Sequence, residues 1–119
     1  MIPSFLLAKL YVKGSLKNND AGFEFALKNI IDSTMLAGIG PISVGEKNYE
    51  GDAIEMTVGD RVVNGAELSR SNAIPVRMSV PMKVAVTGDK LAPGQQKITV
   101  AATTSDIGKI KFDISDTVI

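Results

Sequence analysis

Apolar and polar residues alternate in several short stretches of this chain. The alternation is clearest in residues 54–58, 80–86, 98–102 and 110–114, where every second position is apolar. Successive side chains of a strand point to opposite faces of a sheet, so this two-residue period predicts four strands that each bury one face.

Short turn sequences separate these stretches. Gly59 and Asp60 stand between two extended segments, where a glycine with positive φ suits a tight hairpin. Residues 87–90 are a second predicted turn, and in residues 92–95 a proline precedes a glycine, as in a type II turn. From residue 80 onward the pattern therefore predicts a three-stranded meander.

The first half of the chain gives less uniform signals. Residues 6–12 predict a strand that ends at Gly14, whereas residues 22–31 fit both the strand period and the helix period. The neighbouring strands favour a strand there. Residues 35–44 contain two glycines and a proline, which predicts a bent strand or an edge strand. Residues 70–77 show little periodicity and predict a crossover loop.

These elements predict an all-β fold. About seven or eight strands, with frequent Gly and Pro between them, indicate an antiparallel β-sandwich or a jelly-roll-like arrangement. The sequence shows no linker, repeat or low-complexity tract. We therefore expect a single β-sandwich domain over residues 1–119.

Composition narrows the possible chemistry. The chain has 13 basic and 13 acidic residues, and zero net charge argues against nucleic acid or an anionic membrane as a partner. It has no histidine and no cysteine, which excludes imidazole and thiol catalysis, disulfides and the usual zinc, haem and copper sites. We expect no cofactor. The short apolar N-terminus is interrupted by Lys9 and lacks signal-peptide features, so we expect a cytoplasmic location.

Carboxylates are the remaining candidates for chemistry. Asp106, Asp113 and Asp116 form the densest acidic group, and three carboxylates could bind a hard cation such as calcium. No twelve-residue calcium-loop pattern contains them, so solvated carboxylates at strand ends are the favoured interpretation. Glu24 and Glu55 could act as an acid/base pair, but strand positions that face water explain both. We predict no catalytic, cofactor-binding or metal-ligating residue in this chain.

Apolar residues give weaker indications of function. Met78 and Met82 are four residues apart, which on a strand places both on one face and predicts core packing rather than a copper(I) site. Tyr49 is the one aromatic residue outside an apolar strand position. One spare tyrosine gives little support to a carbohydrate-binding module.

The apolar N-terminal segment is the strongest interaction candidate. It has to cover an apolar surface, which is either its own core, the favoured case, or a partner chain. For the second case, the predicted partner interface comprises Ile2, Pro3, Phe5, Leu6 and Leu7.

Three segments resemble the small β subunits of C-glycoside deglycosidases. They are residues 14–18 (Gly-Ser-Leu-Lys-Asn), 22–27 (Gly-Phe-Glu-Phe-Ala-Leu) and 90–94 (Lys-Leu-Ala-Pro-Gly), in the order of that family. The resemblance implies a β-sandwich that packs on a larger, barrel-shaped α subunit. That subunit carries the divalent metal and the catalytic residues, so no catalytic residue is carried over to this chain.

Three functional hypotheses follow. The first is a non-catalytic accessory β subunit of a carbon–carbon lyase-type deglycosidase, with the larger metal-dependent catalytic subunit as its partner. The second is a structural protein that self-associates through sheet faces or edges into a homo-oligomer. The third is a small carboxylate-based hydrolase, which requires acidic side chains that converge in one pocket.

Overall fold

Ten β-strands make up most of the computed structural model, which describes residues 3–118 except the side chain of Ser4. The strands are β1 (Lys17–Asn18), β2 (Gly22–Lys28), β3 (Thr34–Val44), β4 (Lys47–Tyr49), β5 (Ile54–Val58), β6 (Arg61–Asn64), β7 (Ile74–Val76), β8 (Pro81–Thr87), β9 (Gly94–Thr104) and β10 (Gly108–Val118). One antiparallel sheet has the order β1-β2-β8-β5-β6, and the other has the order β10-β9-β3-β4, with β7 paired to β3. The predicted all-β fold is confirmed, with more strands than expected.

The core lies between the inner faces of the two sheets. In the first sheet Val84 is paired with Phe25 on one side and Met56 on the other, so three apolar side chains form a row. The corresponding row in the second sheet is Phe112, Val100 and Ile42. All six side chains are at most 3% exposed. Each buried side chain of this size contributes about 1.5–3 kcal/mol, so this sandwich needs no disulfide.

The N-terminal segment is helical, so the strand predicted over residues 6–12 is wrong. Helix α1 (Ser4–Leu7) is followed by a 3₁₀ turn (Ala8–Leu10). Leu7 and Leu10 are three residues apart and both are buried, which a helical turn allows and an extended strand would not. In residues 3–118 no helix is long and apolar enough to cross a membrane. Residues 22–28, by contrast, form the predicted strand, β2.

β3 lies inside the second sheet, so the prediction of an edge strand is wrong. It pairs with β9 on one side and with β4 and β7 on the other. The bend is present as two shifts of register against β9, one between Leu36 and Gly38 and one between Ile39 and Ile42. Such bulges accommodate glycine and proline in an interior strand. Strand β7 also replaces part of the crossover loop predicted over residues 70–77.

β8 and β9 lie in different sheets, so the predicted meander is wrong. Only β9 and β10 form a hairpin there. The segment that crosses between the sheets is fixed by Asn18, whose Nδ2 donates to the carbonyl oxygen of Leu91 (2.9 Å). The Asn18 Oδ1 accepts from the Leu91 N–H (2.7 Å). Turn residues alone do not distinguish a hairpin from a crossing between sheets.

Candidate functional site

Three loops meet at one end of the sandwich, which we call the loop end. They are the β2–β3 loop (residues 29–33), the β7–β8 turn (residues 77–80) and the β9–β10 turn (residues 105–107). The Ser79 N–H donates to the carbonyl oxygen of Asn29 (2.6 Å), which joins the first two loops. The Ser105 N–H donates to the carbonyl oxygen of Met35 (2.9 Å), which joins the third loop to β3.

Two buried polar side chains hold the loop end in place. Asn29 and Thr104 are the only buried polar side chains of the described residues. Asn29 donates from Nδ2 to the carbonyl oxygen of Val76 (3.2 Å) and accepts at Oδ1 from the N–H of Ile31 (3.1 Å). Thr104 Oγ1 accepts from the N–H of Ile107 (3.0 Å). A buried polar group left without a partner costs about 1–3 kcal/mol, so these bonds favour a single loop arrangement.

Exposed apolar side chains are concentrated at the loop end. Of the eight large apolar side chains that the described residues expose, four lie here: Ile30 (43% exposed), Met35 (40%), Met78 (52%) and Ile107 (39%). Exposed Pro75 is the strand partner of Met35. We call these five residues the apolar patch. Clustered exposure of this kind is typical of an interaction surface, whereas single exposed apolar residues are ordinary.

An open groove of about 530 Å³ borders the apolar patch. Met35 and Pro75 line it together with Arg77 and Asp106. The Asp106 carboxylate accepts a hydrogen bond from the Thr34 hydroxyl, which fixes the acidic side of the groove. Apolar anchors with charged residues at their rim are the usual composition of a protein–protein contact.

The cavity beneath the loop end is too small for an organic ligand. It lies between the two sheets, has a volume of about 70 Å³, and extends to Ile31, Thr34 and Ile107. An engineered apolar cavity that binds benzene measures about 150 Å³. Pockets that enclose a drug-sized molecule begin at about 300 Å³. The outer surface of the loop end, rather than the interior below it, is therefore the candidate site.

The structure separates the three aspartates that are close in sequence. Asp106 lies in the β9–β10 turn. Asp116 is on β10, about 26 Å beyond the first residue of that strand, Gly108, at roughly 3.3 Å per residue. No three metal-ligating side chains come together within the described part of the chain. A hydrogen bond from the Thr99 hydroxyl (2.6 Å) lowers the pKa of Asp113. These carboxylates therefore have separate structural roles.

Glu24 and Glu55 do lie on one surface, the outer face of the first sheet. Both are register partners of Ala85, from opposite sides of β8. Two strand spacings separate their Cα atoms, which is roughly 10 Å. Glu24 forms an ion pair with Lys83 (3.7 Å). Glu55 is exposed as expected, but only 15% of the Glu24 side chain is exposed, so the expected solvent-facing position is wrong for Glu24.

Two predictions about apolar side chains are corrected. Met82 is buried as expected, but Met78 is exposed, because β8 begins only at Pro81 and Met78 belongs to the preceding turn. Tyr49 is not a spare aromatic residue, because its ring packs edge-on against Phe23 with a centroid distance of 5.9 Å. The periodicity of residues 78–86 gave no sign that the strand starts late.

The N-terminal residues predicted as a partner interface have different environments. Leu7 is buried in the chain's own core, whereas Pro3, Phe5 and Leu6 are exposed. Ile2 lies outside the described residues. The interface at the exposed residues stays a prediction, and it competes with the loop end, which sequence reasoning missed because its residues come from three distant loops.

A sequence model of the hydroxymethylglutaryl-CoA reductase N-terminal domain matches residues 6–119. The chain belongs to this family. The match covers nearly the whole sequence. No curated protein matches the chain.

Membership of the hydroxymethylglutaryl-CoA reductase N-terminal domain family overturns the resemblance to C-glycoside deglycosidase β subunits. The predicted role as an accessory subunit of a deglycosidase is therefore also wrong. The family match supports neither the structural homo-oligomer nor the carboxylate-based hydrolase. The segments that carried the resemblance are structural. Asn18 of the first segment is hydrogen-bonded to Leu91 of the third, as described above, so both serve the crossing between the sheets.

Proposed function

We propose that this chain is a docking domain of hydroxymethylglutaryl-CoA reductase, and that its loop end binds the catalytic part of that enzyme. The name of the family assigns the domain to an enzyme that reduces hydroxymethylglutaryl-CoA. In this proposal the chain supplies a binding surface, and the catalytic part binds the thioester.

The apolar patch is the observation that carries the proposal. Exposed Met78 and Ile107 are suitable anchors. Their side chains can bury apolar surface at the centre of a contact, and neither carries a charge that would lose its hydration there. The bonds of Asn29 and Thr104 hold the supporting loops before binding, which reduces the entropy lost when the complex forms. Arg77 and Asp106 beside the patch offer one charge of each sign for orientation.

Binding in solution tests the proposal. The chain is mixed with the purified catalytic part of the reductase from the same organism, and the mass of the complex is measured by light scattering during size-exclusion chromatography. We expect the chain alone to be monomeric and the mixture to contain a complex of the two. Met78→Glu and Ile107→Glu should each weaken the complex about tenfold or more, because they place a charge in an apolar contact.

Phe5→Glu is the matched control, since Phe5 is exposed and lies in the interface predicted at the N-terminus. We expect this variant to bind like the unmodified chain. Loss of binding in Phe5→Glu with normal binding in Met78→Glu would reject the loop end as the interface. Two results would reject the reductase as the partner that binds the loop end. They are the absence of any complex, and a homo-oligomer of this chain that Met78→Glu dissociates.

A cytoplasmic location is also part of the proposal, as expected from the sequence. Fractionation of the source cells, followed by detection of this chain, tests it. Recovery in the membrane or secreted fraction would contradict it.

A further inference from the structure

A second groove, next to the loop end, is lined by two arginines. It has a volume of about 240 Å³ and is lined by Val58, Gly59, Arg61, Pro75, Arg77 and Val80. Arg61 and Arg77 are its only ionisable residues among those the structure describes. Neither guanidinium forms an ion pair with a described carboxylate within 4.0 Å. We call this the arginine groove.

Backbone geometry fixes the position of both arginines. Arg61 follows a two-residue hairpin and is the register partner of Val58, with Gly59 at φ 61° in the turn. Arg77 opens the β7–β8 turn, where the Val80 N–H donates to the Arg77 carbonyl oxygen (3.2 Å). The β5–β6 hairpin of the first sheet and the β7–β8 turn, which joins the two sheets, therefore bring two positive charges to one groove.

The arginines of this chain are concentrated in one short segment, unlike the lysines. The chain has ten lysines and three arginines, and all three arginines fall between residues 61 and 77. The groove contains two of them and no lysine. A guanidinium donates two parallel hydrogen bonds to a phosphate, whereas an ammonium acts as a point charge. This choice of residue suits phosphate oxygens better than it suits general solubility.

We propose that the arginine groove binds the phosphate or diphosphate group of a small molecule. Arg61 and Arg77 donate hydrogen bonds to the phosphate oxygens, and Val58 and Val80 contact the organic part of the ligand. The inference goes beyond the docking function, because it assigns a ligand class to a second groove, which shares Pro75 and Arg77 with the groove beside the apolar patch.

Inorganic pyrophosphate is the probe for this site. It is titrated into the ¹⁵N-labelled chain at constant ionic strength, and the Nε–Hε signals of the arginines are followed by NMR. We expect saturable shifts at Arg61 and Arg77 and none at Arg70, which does not line the groove. Arg77→Gln should weaken binding about tenfold, because it removes a charge-assisted contact. Arg70→Gln is the matched control and should leave the affinity unchanged.

Three outcomes would overturn the proposal. They are the absence of saturation, an equal response at Arg70, and binding of acetate as tightly as pyrophosphate. Arg77→Lys separates a specific site from charge attraction, because it keeps the charge and loses the paired donors, and full affinity in this variant would also reject the proposal. Ile107→Glu should weaken reductase docking and leave the pyrophosphate titration unchanged, so the two proposals can fail independently.

Discussion

Gly88 shows how the absence of one side chain determines local packing. A Cβ atom at this position would overlap the ring of Tyr49, which itself packs against Phe23 of the core. We expect Gly88→Ala to lower the free energy of unfolding by about 1–3 kcal/mol, because the ring has to move out of its packed position. Urea denaturation measures this change.

The control for Gly88→Ala is Gly38→Ala, since a Cβ at Gly38 meets Thr103 at an ordinary contact distance of 3.4 Å. We expect a change within about 0.5 kcal/mol there. Equal losses in the two variants would show that alanine itself, rather than the overlap with Tyr49, is responsible.

Ser79 is the only residue other than glycine with positive φ among the described residues, at 72°. It occupies the third position of the β7–β8 turn, where glycine is the usual residue. The left-handed conformation costs a residue with a Cβ about 1–2 kcal/mol. Glycine avoids this cost, but part of the gain is lost because glycine has more conformational freedom in the unfolded state. We therefore expect Ser79→Gly to raise the free energy of unfolding by about 0.5–1 kcal/mol.

The same denaturation measurement checks the Ser79 prediction. Ser71→Gly, in an exposed turn without positive φ, is the control and should not stabilise the protein. A loss of stability in Ser79→Gly would mean that the serine makes a compensating contact in the turn.

At the scale of elements, the N-terminal segment is tied to β10 by one ionised contact. The Tyr11 hydroxyl donates to Asp116 Oδ2 (2.6 Å), and the Gly14 N–H donates to the same oxygen (2.7 Å). These bonds lower the pKa of Asp116, while burial and the bond to Asp116 raise the pKa of Tyr11. The contact is therefore formed by a charged carboxylate and a neutral phenol.

This contact makes stability depend on pH in the acid range. A carboxylate whose pKa is lower in the folded state stabilises the fold above its unfolded pKa of about 4 and loses that contribution as the pH falls through the folded pKa. We expect Asp116→Asn to reduce the free energy of unfolding by about 1 kcal/mol at pH 7. The difference from the unmodified chain should shrink as the pH is lowered below 4.

Urea denaturation at several pH values measures the effect of Asp116→Asn. Asp20→Asn is the control, because Asp20 is exposed and no hydrogen bond or ion pair involves its side chain among the described residues. A difference that stays constant from pH 7 to pH 2 would contradict the role of the ionised carboxylate.

Elements with a clear two-residue period could be predicted from the sequence, and those fixed by tertiary contacts could not. β5 and its hairpin partner follow from local alternation and Gly59. Residues 6–12 suggested a strand, but residues 4–10 form helical turns, which place the side chains of Leu7 and Leu10 together on the core. The position of β3 inside its sheet depends on partners that are far away in sequence.

At the scale of the whole molecule, composition and periodicity were sufficient for an all-β sandwich but not for its function. The apolar patch combines Ile30, Met35, Pro75, Met78 and Ile107, which no sequence motif connects. The arginine groove likewise depends on two turns that only the fold brings together. Short turn motifs were misleading about the family, because residues that stabilise turns recur in unrelated β proteins.

Hydrogen–deuterium exchange of the chain with and without the catalytic part of hydroxymethylglutaryl-CoA reductase is the most direct test of the docking proposal. We predict slower exchange on binding in residues 29–35, 75–80 and 104–108, which contain the loop end and the apolar patch, and little change elsewhere on the outer faces of both sheets. Protection confined to the N-terminal segment or to a sheet face, or no protection at all, would contradict docking through the loop end.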